Sequence, residues 1–390
     1  MISMKYCTEC VFPAVAATPL TFDEKGVCSG CRANKHKKFI DWDRREELFK
    51  ELIDEYRTDS EYDCVLPVSG GKDSYFAAHL AKKYNLKALM VTYHGNNYMK
   101  EGERNLYRMK DEFSFDHIIF RPSTSVLKKL NLLGLKITGD MNWHCHAGIF
   151  TYPMQIAIKY KIPLVFWGDH GFTEQGGMYS HNDFFEYTKK DRFEHCLHGY
   201  DWDDFVGKDG LTKKDLQFLI YPTDDDVLEL GLRGIYLSNY FYYDGRKHSE
   251  IATKFYNWEA AEIDFDRTFR KISNLDDMHE NGVHDYLKFI KIGYGRGTDH
   301  SNYDIREGIM TREEGLEMVK KYDSVKPKDL KRWLEYVGIS EKQFDEICDT
   351  FRDKRVWRIK NNQWFKDNIW GDESSYGEVK AYPAWSKRTN

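Results

Sequence analysis

The sequence predicts an α/β fold: a parallel-sheet domain over residues 41–245, preceded by a zinc ribbon over 1–40 and followed by a mainly helical region over 246–390. Three observations lead there. Strand and helix signals alternate from Tyr62 to Trp167, a glycine pair follows the first strand, and two C-x2-C pairs open the chain.

Size and composition permit this division. The 390 residues suit two or three domains at roughly 150 residues each. With 41% hydrophobic and 31% charged residues and a mean hydropathy of -0.69, the balance excludes a disordered chain and a membrane protein. No apolar run reaches the ~18 residues that span a bilayer. The start, Met1 to Cys7, lacks the basic region and apolar stretch of a signal peptide, so a cytoplasmic protein is expected. The net charge of -5 lacks the global basic bias of many nucleic-acid binders.

The first 40 residues are loop-like, broken by Pro13, Pro19, Gly26 and Gly30, and too few to bury a core without a staple. A reducing compartment disfavours disulfides. Cys7-Thr8-Glu9-Cys10 and Cys28-Ser29-Gly30-Cys31, separated by 17 residues, have the spacing of a four-thiolate zinc site, with an iron–sulfur cluster as the alternative. Zinc bound by Cys7, Cys10, Cys28 and Cys31 is expected to be structural, because four thiolates close its tetrahedral shell.

Beyond the ribbon, Leu48, Leu52, Ile53 and Tyr56 mark an amphipathic helix over Trp42 to Tyr56. Strands are expected at Tyr62 to Val68, Leu86 to Tyr93, Ile118 to Phe120 and Leu164 to Trp167. Helices are expected at Ser74 to Tyr84, Glu101 to Phe113, Ser123 to Leu133 and Gly148 to Tyr160. This alternation implies parallel strands covered on both faces. Residues 169–222 read as an insertion with short helices, Ile235 to Ser238 as a return to the sheet, and Lys247 onward as mostly helical, ending from Gly371 in a tail without period.

Ser69-Gly70-Gly71-Lys72-Asp73-Ser74 joins the first strand to the next helix. A glycine pair permits a tight turn, the helix start aims unpaired N–H groups at an anion, and the serine hydroxyls and Lys72 add donors and charge. That combination is a phosphate cradle. The spacing is not that of a Walker loop.

These residues are the SGGxDS signature, and the chain resembles the PP-loop ATP pyrophosphatases, an adenine nucleotide alpha-hydrolase-like family. The resemblance implies cleavage of ATP between its alpha and beta phosphates and adenylylation of a carbonyl-type oxygen. It implies that Ser69, Gly70, Gly71, Lys72, Asp73 and Ser74 hold pyrophosphate, that Thr92 lies near the nucleotide with Val91 and Tyr93, and that Asp73 helps to bind magnesium. Lys72 and Asp73 are read as catalytic.

The order of Tyr6-Cys7-Thr8-Glu9-Cys10-Val11, the Ser69–Ser74 loop, Trp167-Gly168-Asp169, Tyr221-Pro222-Thr223, Asp304-Ile305-Arg306-Glu307-Gly308 and Thr311-Arg312-Glu313-Glu314 narrows the likeness. It resembles the N-acetyl sugar amidotransferases of the WbpG/PseA type. What this implies is an enzyme of bacterial surface-glycan synthesis, with lipopolysaccharide O-antigen or pseudaminic acid-like sugars as products. ATP would activate an acetamido oxygen, and ammonia would replace it to give an acetamidino sugar.

Further clusters carry candidate chemistry. Asp169 and His170 follow a strand on the carboxyl edge where parallel sheets bind ligands, which suggests a catalytic or magnesium role for Asp169 and a substrate role for His170. Gly293-Tyr294-Gly295-Arg296-Gly297 lacks a dinucleotide fingerprint, and Arg296 with Arg306 suits an anionic substrate group. Thr311 and Glu314 form a capping box. Glu174 to Gly177 is expected as a flexible loop, and His144-Cys145-His146 is too crowded for three ligands to point at one ion.

The chain shows no glutaminase of its own: residue 2 is Ile2, and neither Cys145 nor Cys196 sits in a G-x-C-x-G elbow. By resemblance, ammonia comes from a glutaminase subunit and a cyclase-like ammonia-channelling subunit. Competing readings are a tRNA-thiolating enzyme, for which only Cys64, Cys145, Cys196 and Cys348 remain as singly placed thiols, and a non-catalytic zinc-ribbon scaffold.

Overall fold

The computed structural model describes residues 4–57 and 61–388; Met1 to Ser3, including the Ile2 position, lie outside the described residues. Strands β1 (Cys64–Pro67), β2 (Ala88–Tyr93), β3 (Asp116–Phe120), β4 (Leu164–Trp167), β5 (Glu186–Tyr187) and β6 (Arg233–Tyr236) form one sheet in the order β3-β2-β1-β4-β6-β5. All neighbours are parallel except β5, which runs antiparallel to β6. Every residue of β2 and β4 is buried, as the apolar runs of a doubly covered sheet require.

The chain order turns around at β1, whose two neighbours are β2 and β4, with Pro67 level with Val91 and Val65 level with Val165. Connections leave this point in opposite directions and open a crevice at the carboxyl ends. The Ser69–Ser74 loop follows β1 and Asp169 follows β4, so topology alone brings two expected site segments to one crevice.

Several expectations are corrected. The ribbon is not all loop, because Ser29–Lys37 is a helix whose N-cap Cys28 accepts the Cys31 N–H. The expected helix Gly148 to Tyr160 is two helices, Trp143–Ile149 and Tyr152–Tyr160, broken where Pro153 can donate no N–H. The 169–222 insertion contributes the edge strand β5. The expected C-terminal tail folds with the segment before it as a three-stranded antiparallel sheet of β7 (Arg358–Lys360), β8 (Gln363–Asp367) and β9 (Glu373–Glu378).

The helix Gly245–Tyr256 begins at the expected boundary of the last region, yet Ala252, Tyr256 and the following Trp258 are buried in the core of the sheet domain. A separate core joins Trp333, Phe344, Trp357 and Trp364 to Leu135 and Met141. The last region is therefore built onto the sheet domain rather than beside it.

Candidate active site

The loop after β1 owes its shape to Gly70, whose φ of +81° is open to glycine at little cost. A Cβ there would also lie 2.6 Å from the Leu106 backbone nitrogen. The Trp258 indole N–H donates to the Gly70 carbonyl at 3.0 Å, pinning the turn from 188 residues further along the chain. Ser69 N–H donates to Ser74 Oγ at 2.9 Å, and Gly71 caps the helix Lys72–Lys83. Gly71, Lys72 and Asp73 at the start of that helix line the crevice, and the first N–H groups of a helix, left without partners inside it, suit an anion.

Lys72 and Asp73 open the helix as an ion pair, Nζ to Oδ2 at 2.7 Å. The other Asp73 oxygen meets His248 Nδ1 at 2.7 Å, and the buried His248 ring stacks on Phe76 at 3.9 Å. Burial pushes the Asp73 carboxyl up, but Lys72 and His248 outweigh it and hold it below the usual carboxylate range. Gly245 makes this approach possible, since a Cβ on it would lie 2.8 Å from Lys72 Cε.

Asp169 behaves oppositely. Burial, reinforced by the charges of Asp73 and Glu174, pushes its carboxyl up to about 7. A carboxylate held up by neighbouring acids is a donor set that a hard divalent cation would relieve, and Asp73 and Asp169 fit magnesium on that ground.

Two cavities meet at these groups, and Ser69, Asp73, Ser74, Asp169 and Tyr243 line both. One, of about 380 Å³, has an apolar wall of Val68, Val91, Tyr93, Phe150 and Trp167, suited to a flat aromatic base. The other, of about 410 Å³, is polar, with Asn34, Lys37, Arg246, Arg270, Tyr303 and Glu307 in its wall.

The four ribbon thiols lie within 4.8 Å of one another. Cys7 and Cys31 sulfurs are 4.0 Å apart and those of Cys10 and Cys28 are 3.7 Å apart. Tetrahedral zinc with bonds near 2.3 Å holds its sulfurs about 3.8 Å apart, so the cluster could bind zinc as it is placed.

Residues 250–369 match the family model described as "LPS biosynthesis protein WbpG-like, C-terminal domain". This stretch carries Trp258, Arg270 and Asp304. No curated protein matches the chain. Among solved structures, NMN synthetase from Francisella tularensis is 14% identical, with 54% of this chain and 96% of that one covered at a TM-score of 0.28. NH3-dependent NAD synthetase from Campylobacter jejuni, in complex with the nitrate ion, is 16% identical, with 57% and 99% covered at a TM-score of 0.29.

The crevice gathers Ser69, Gly71, Lys72, Asp73, Ser74 and Asp169, with Gly70 behind them. Other expected residues are placed differently. Strand alternation turns Val91 and Tyr93 toward the apolar cavity and Thr92 away from it; Thr92 Oγ1 donates to the Val68 carbonyl at 2.6 Å and lies 2.8 Å from His117 Nε2. His170 lies outside both cavities, its Nδ1 2.9 Å from Thr173 Oγ1. Arg296 reaches the border of both but is held by Asp285, Nε to Oδ1 at 2.9 Å.

Arg306 borders the polar cavity, yet its guanidinium donates to the carbonyl of Gln175 at 2.8 Å and lies 3.6 Å from Cys28 Sγ. It ties the ribbon to the 174–177 loop from the edge of that cavity. That loop is clamped rather than flexible: Lys37 pairs with Glu174 at 2.7 Å, Ser29 Oγ donates to the Gly176 carbonyl at 2.5 Å, and a Cβ on Gly177 would lie 2.3 Å from the Ser29 carbonyl oxygen.

Sequence reasoning passed over His248, Trp258, Arg246, Arg270 and Lys37. Asp244-Gly245 carried a helix-start signal, and Asp244 does accept from Arg246 N–H at 2.9 Å. Nothing local indicated that this helix start would meet Lys72.

Proposed function

We propose that the chain is an ATP-dependent synthetase subunit that converts an acetamido group of a bacterial surface-glycan sugar to an acetamidino group, releasing AMP and pyrophosphate. The observation that carries this reading is the SGGKDS loop at the switch point of a parallel sheet, beside a polar cavity whose wall includes residues of the WbpG-like segment. ATP would place its base against the apolar wall and its phosphates on the loop. The acetamido oxygen attacks the alpha phosphorus, the bond to the beta phosphate breaks, and pyrophosphate departs toward Lys72 and the helix N–H groups, which favour the accumulating negative charge. Ammonia then adds to the activated carbon, and AMP leaves with the former acetamido oxygen.

Asp73, oriented by His248, and Asp169 would hold magnesium, which supplies charge neutralisation along the phosphates. The ribbon thiols would hold structural zinc. Ammonia would be delivered by a partner glutaminase through a cyclase-like subunit, because at neutral pH most of the free pool is protonated and non-nucleophilic.

A sulfur-transfer reading has less support. Burial pushes up the thiols of Cys64, Cys196 and Cys348, against the thiolate that sulfur relay needs. The deciding experiment incubates acetamido sugars with ATP, magnesium and ammonium, and follows nucleotide products and sugar mass. AMP, pyrophosphate and an oxygen-to-NH mass change support the reading; ADP and phosphate as stoichiometric products refute it.

A further inference from the structure

A third cavity, of about 230 Å³, meets the apolar one at Asp169, His146, Phe150 and Tyr236. Its wall continues through His170, Asp191 and His195 to the exposed His198. It thus reaches Asp169 from the surface on a side of its own and joins the apolar cavity there.

Its polar atoms are set for a missing partner. His170 and Asp191 side chains are 4% and 3% exposed, and His170 Nε2 and Asp191 Oδ1 are buried without a hydrogen-bond partner. They lie 3.7 Å apart, and His195 Nε2 is 3.9 Å from the same Asp191 oxygen. These gaps are too long for direct hydrogen bonds and suit one small donor placed between the atoms. Burying such atoms unsatisfied costs free energy, so a bound donor is favoured.

The neighbourhood defines the donor's chemistry. Asp191 has no arginine or lysine within ion-pair distance among the described residues, since Arg192 is turned to Asp201 at 2.8 Å and to Thr151 Oγ1 at 2.8 Å. One carboxylate beside two imidazoles suits a monovalent donor better than a hard divalent cation, which takes six or more oxygen ligands. A π-helical turn, Arg192–Cys196, carries His195 and Cys196 into the wall, a distortion often found at functional sites.

We infer that this cavity binds ammonium between Asp191, His170 and His195 and admits ammonia to the reacting carbon beside Asp169. The inference rests on the synthetase reading for its purpose. In the cavity ammonium donates hydrogen bonds to Asp191 Oδ1 and to imidazole nitrogen. It leaves as ammonia by passing one proton to the His195 imidazole, and the nitrogen lone pair forms the new C–N bond as the bond from that carbon to the AMP oxygen breaks.

The test has two arms on the full chain. Crystals soaked in thallium(I), a monovalent cation near ammonium in size, are expected to show an anomalous peak between Asp191 and His170 that Asp191→Asn abolishes. No peak there, or a water that thallium does not displace, overturns the site. In the kinetic arm, Asp191→Asn and the cavity-narrowing Cys196→Met are expected to raise the ammonium concentration for half-maximal AMP release about tenfold, with ATP and sugar saturation unchanged. Unchanged ammonium saturation in both variants overturns the route. If the wild-type chain releases no AMP at any ammonium concentration, the synthetase reading fails instead, and the thallium arm alone decides the cation site.

Discussion

His248 and Asp73, separated by 175 residues, meet at 2.7 Å, so the helix after the sheet domain orients the one acid of the phosphate loop. Lys72 holds the other oxygen of the same carboxylate. The acid is gripped from both sides and presented to the crevice in one orientation.

Loss of this bond is expected to act on catalysis before fold. His248→Ala should lower AMP release roughly ten- to hundredfold, the range of one charge-assisted hydrogen bond, while far-UV circular dichroism is unchanged. Asp73 would then lose the part that His248 plays in opposing its burial, so its carboxyl should rise and the acid limb of the pH–rate profile should move to higher pH. His248→Asn, which keeps a donor, should restore part of both. Rates and pH profiles equal to wild type would refute the positioning role.

Asp169 predicts a pH-dependent stability difference whose sign is fixed. Its folded carboxyl titrates at about 7, above the ordinary carboxylate range. Below that ordinary range both states are protonated and nothing is lost; between it and about 7 the unfolded chain ionises first, so stability falls as pH rises. Asp169→Asn should therefore gain on the order of 1–4 kcal/mol over wild type at pH 8, and almost nothing at pH 4, in urea unfolding without nucleotide. A gain equal at both pH values would remove the cause assigned here.

Losing the zinc proposed for the ribbon should open the wall of the polar cavity. Cys28→Ser is expected to lose zinc, and with it the placement of Ser29 and Lys37 that clamps Glu174 and Gly176. Metal analysis and limited proteolysis check this: wild type should carry one zinc, and cleavage near 174–177 should appear in the variant. Iron with inorganic sulfide in the wild type would overturn the zinc assignment.

The two arginines on Asp304 should separate cleanly. Asp304 is 1% exposed and meets Arg270 at 2.6 Å, whereas Arg246, 43% exposed, meets it at 3.3 Å. Arg270→Met leaves a buried carboxylate short of its close partner and should cost about 3 kcal/mol in denaturant unfolding. Arg246→Met should cost less than about 1 kcal/mol. Equal losses would contradict the asymmetry.

By itself the sequence determined whatever depends on spacing along the chain. Cys7, Cys10, Cys28 and Cys31 announce a four-thiol cluster, because tight turns bring each pair together whatever surrounds them. Ser69 to Ser74 announces an anion cradle, because a strand, a glycine turn and a helix start already contain it. The order of strands and helices was also legible, since burial on both faces writes apolar runs into β1, β2 and β4. Periodicity said less where it was weak, which is why β7 to β9 and the edge strand β5 went unread: alternation over two to six half-exposed residues is too short to distinguish from loop.

Tertiary structure alone decided which single side chains meet. Thr92, expected near the nucleotide, has its hydroxyl on the Val68 carbonyl and His117, because one strand position reverses the face relative to Val91 and Tyr93. Arg306, expected at a substrate, lines the polar cavity, and its helix also delivers it to the Gln175 carbonyl and the Cys28 sulfur. Arg270, Arg246 and His248 lie where no motif marks them, and they reach the crevice because their segments are packed there by cores built from residues far away in sequence. A lone histidine or arginine carries no periodic signal, so its partner is set by how helices and sheet pack together rather than by its neighbours in the chain.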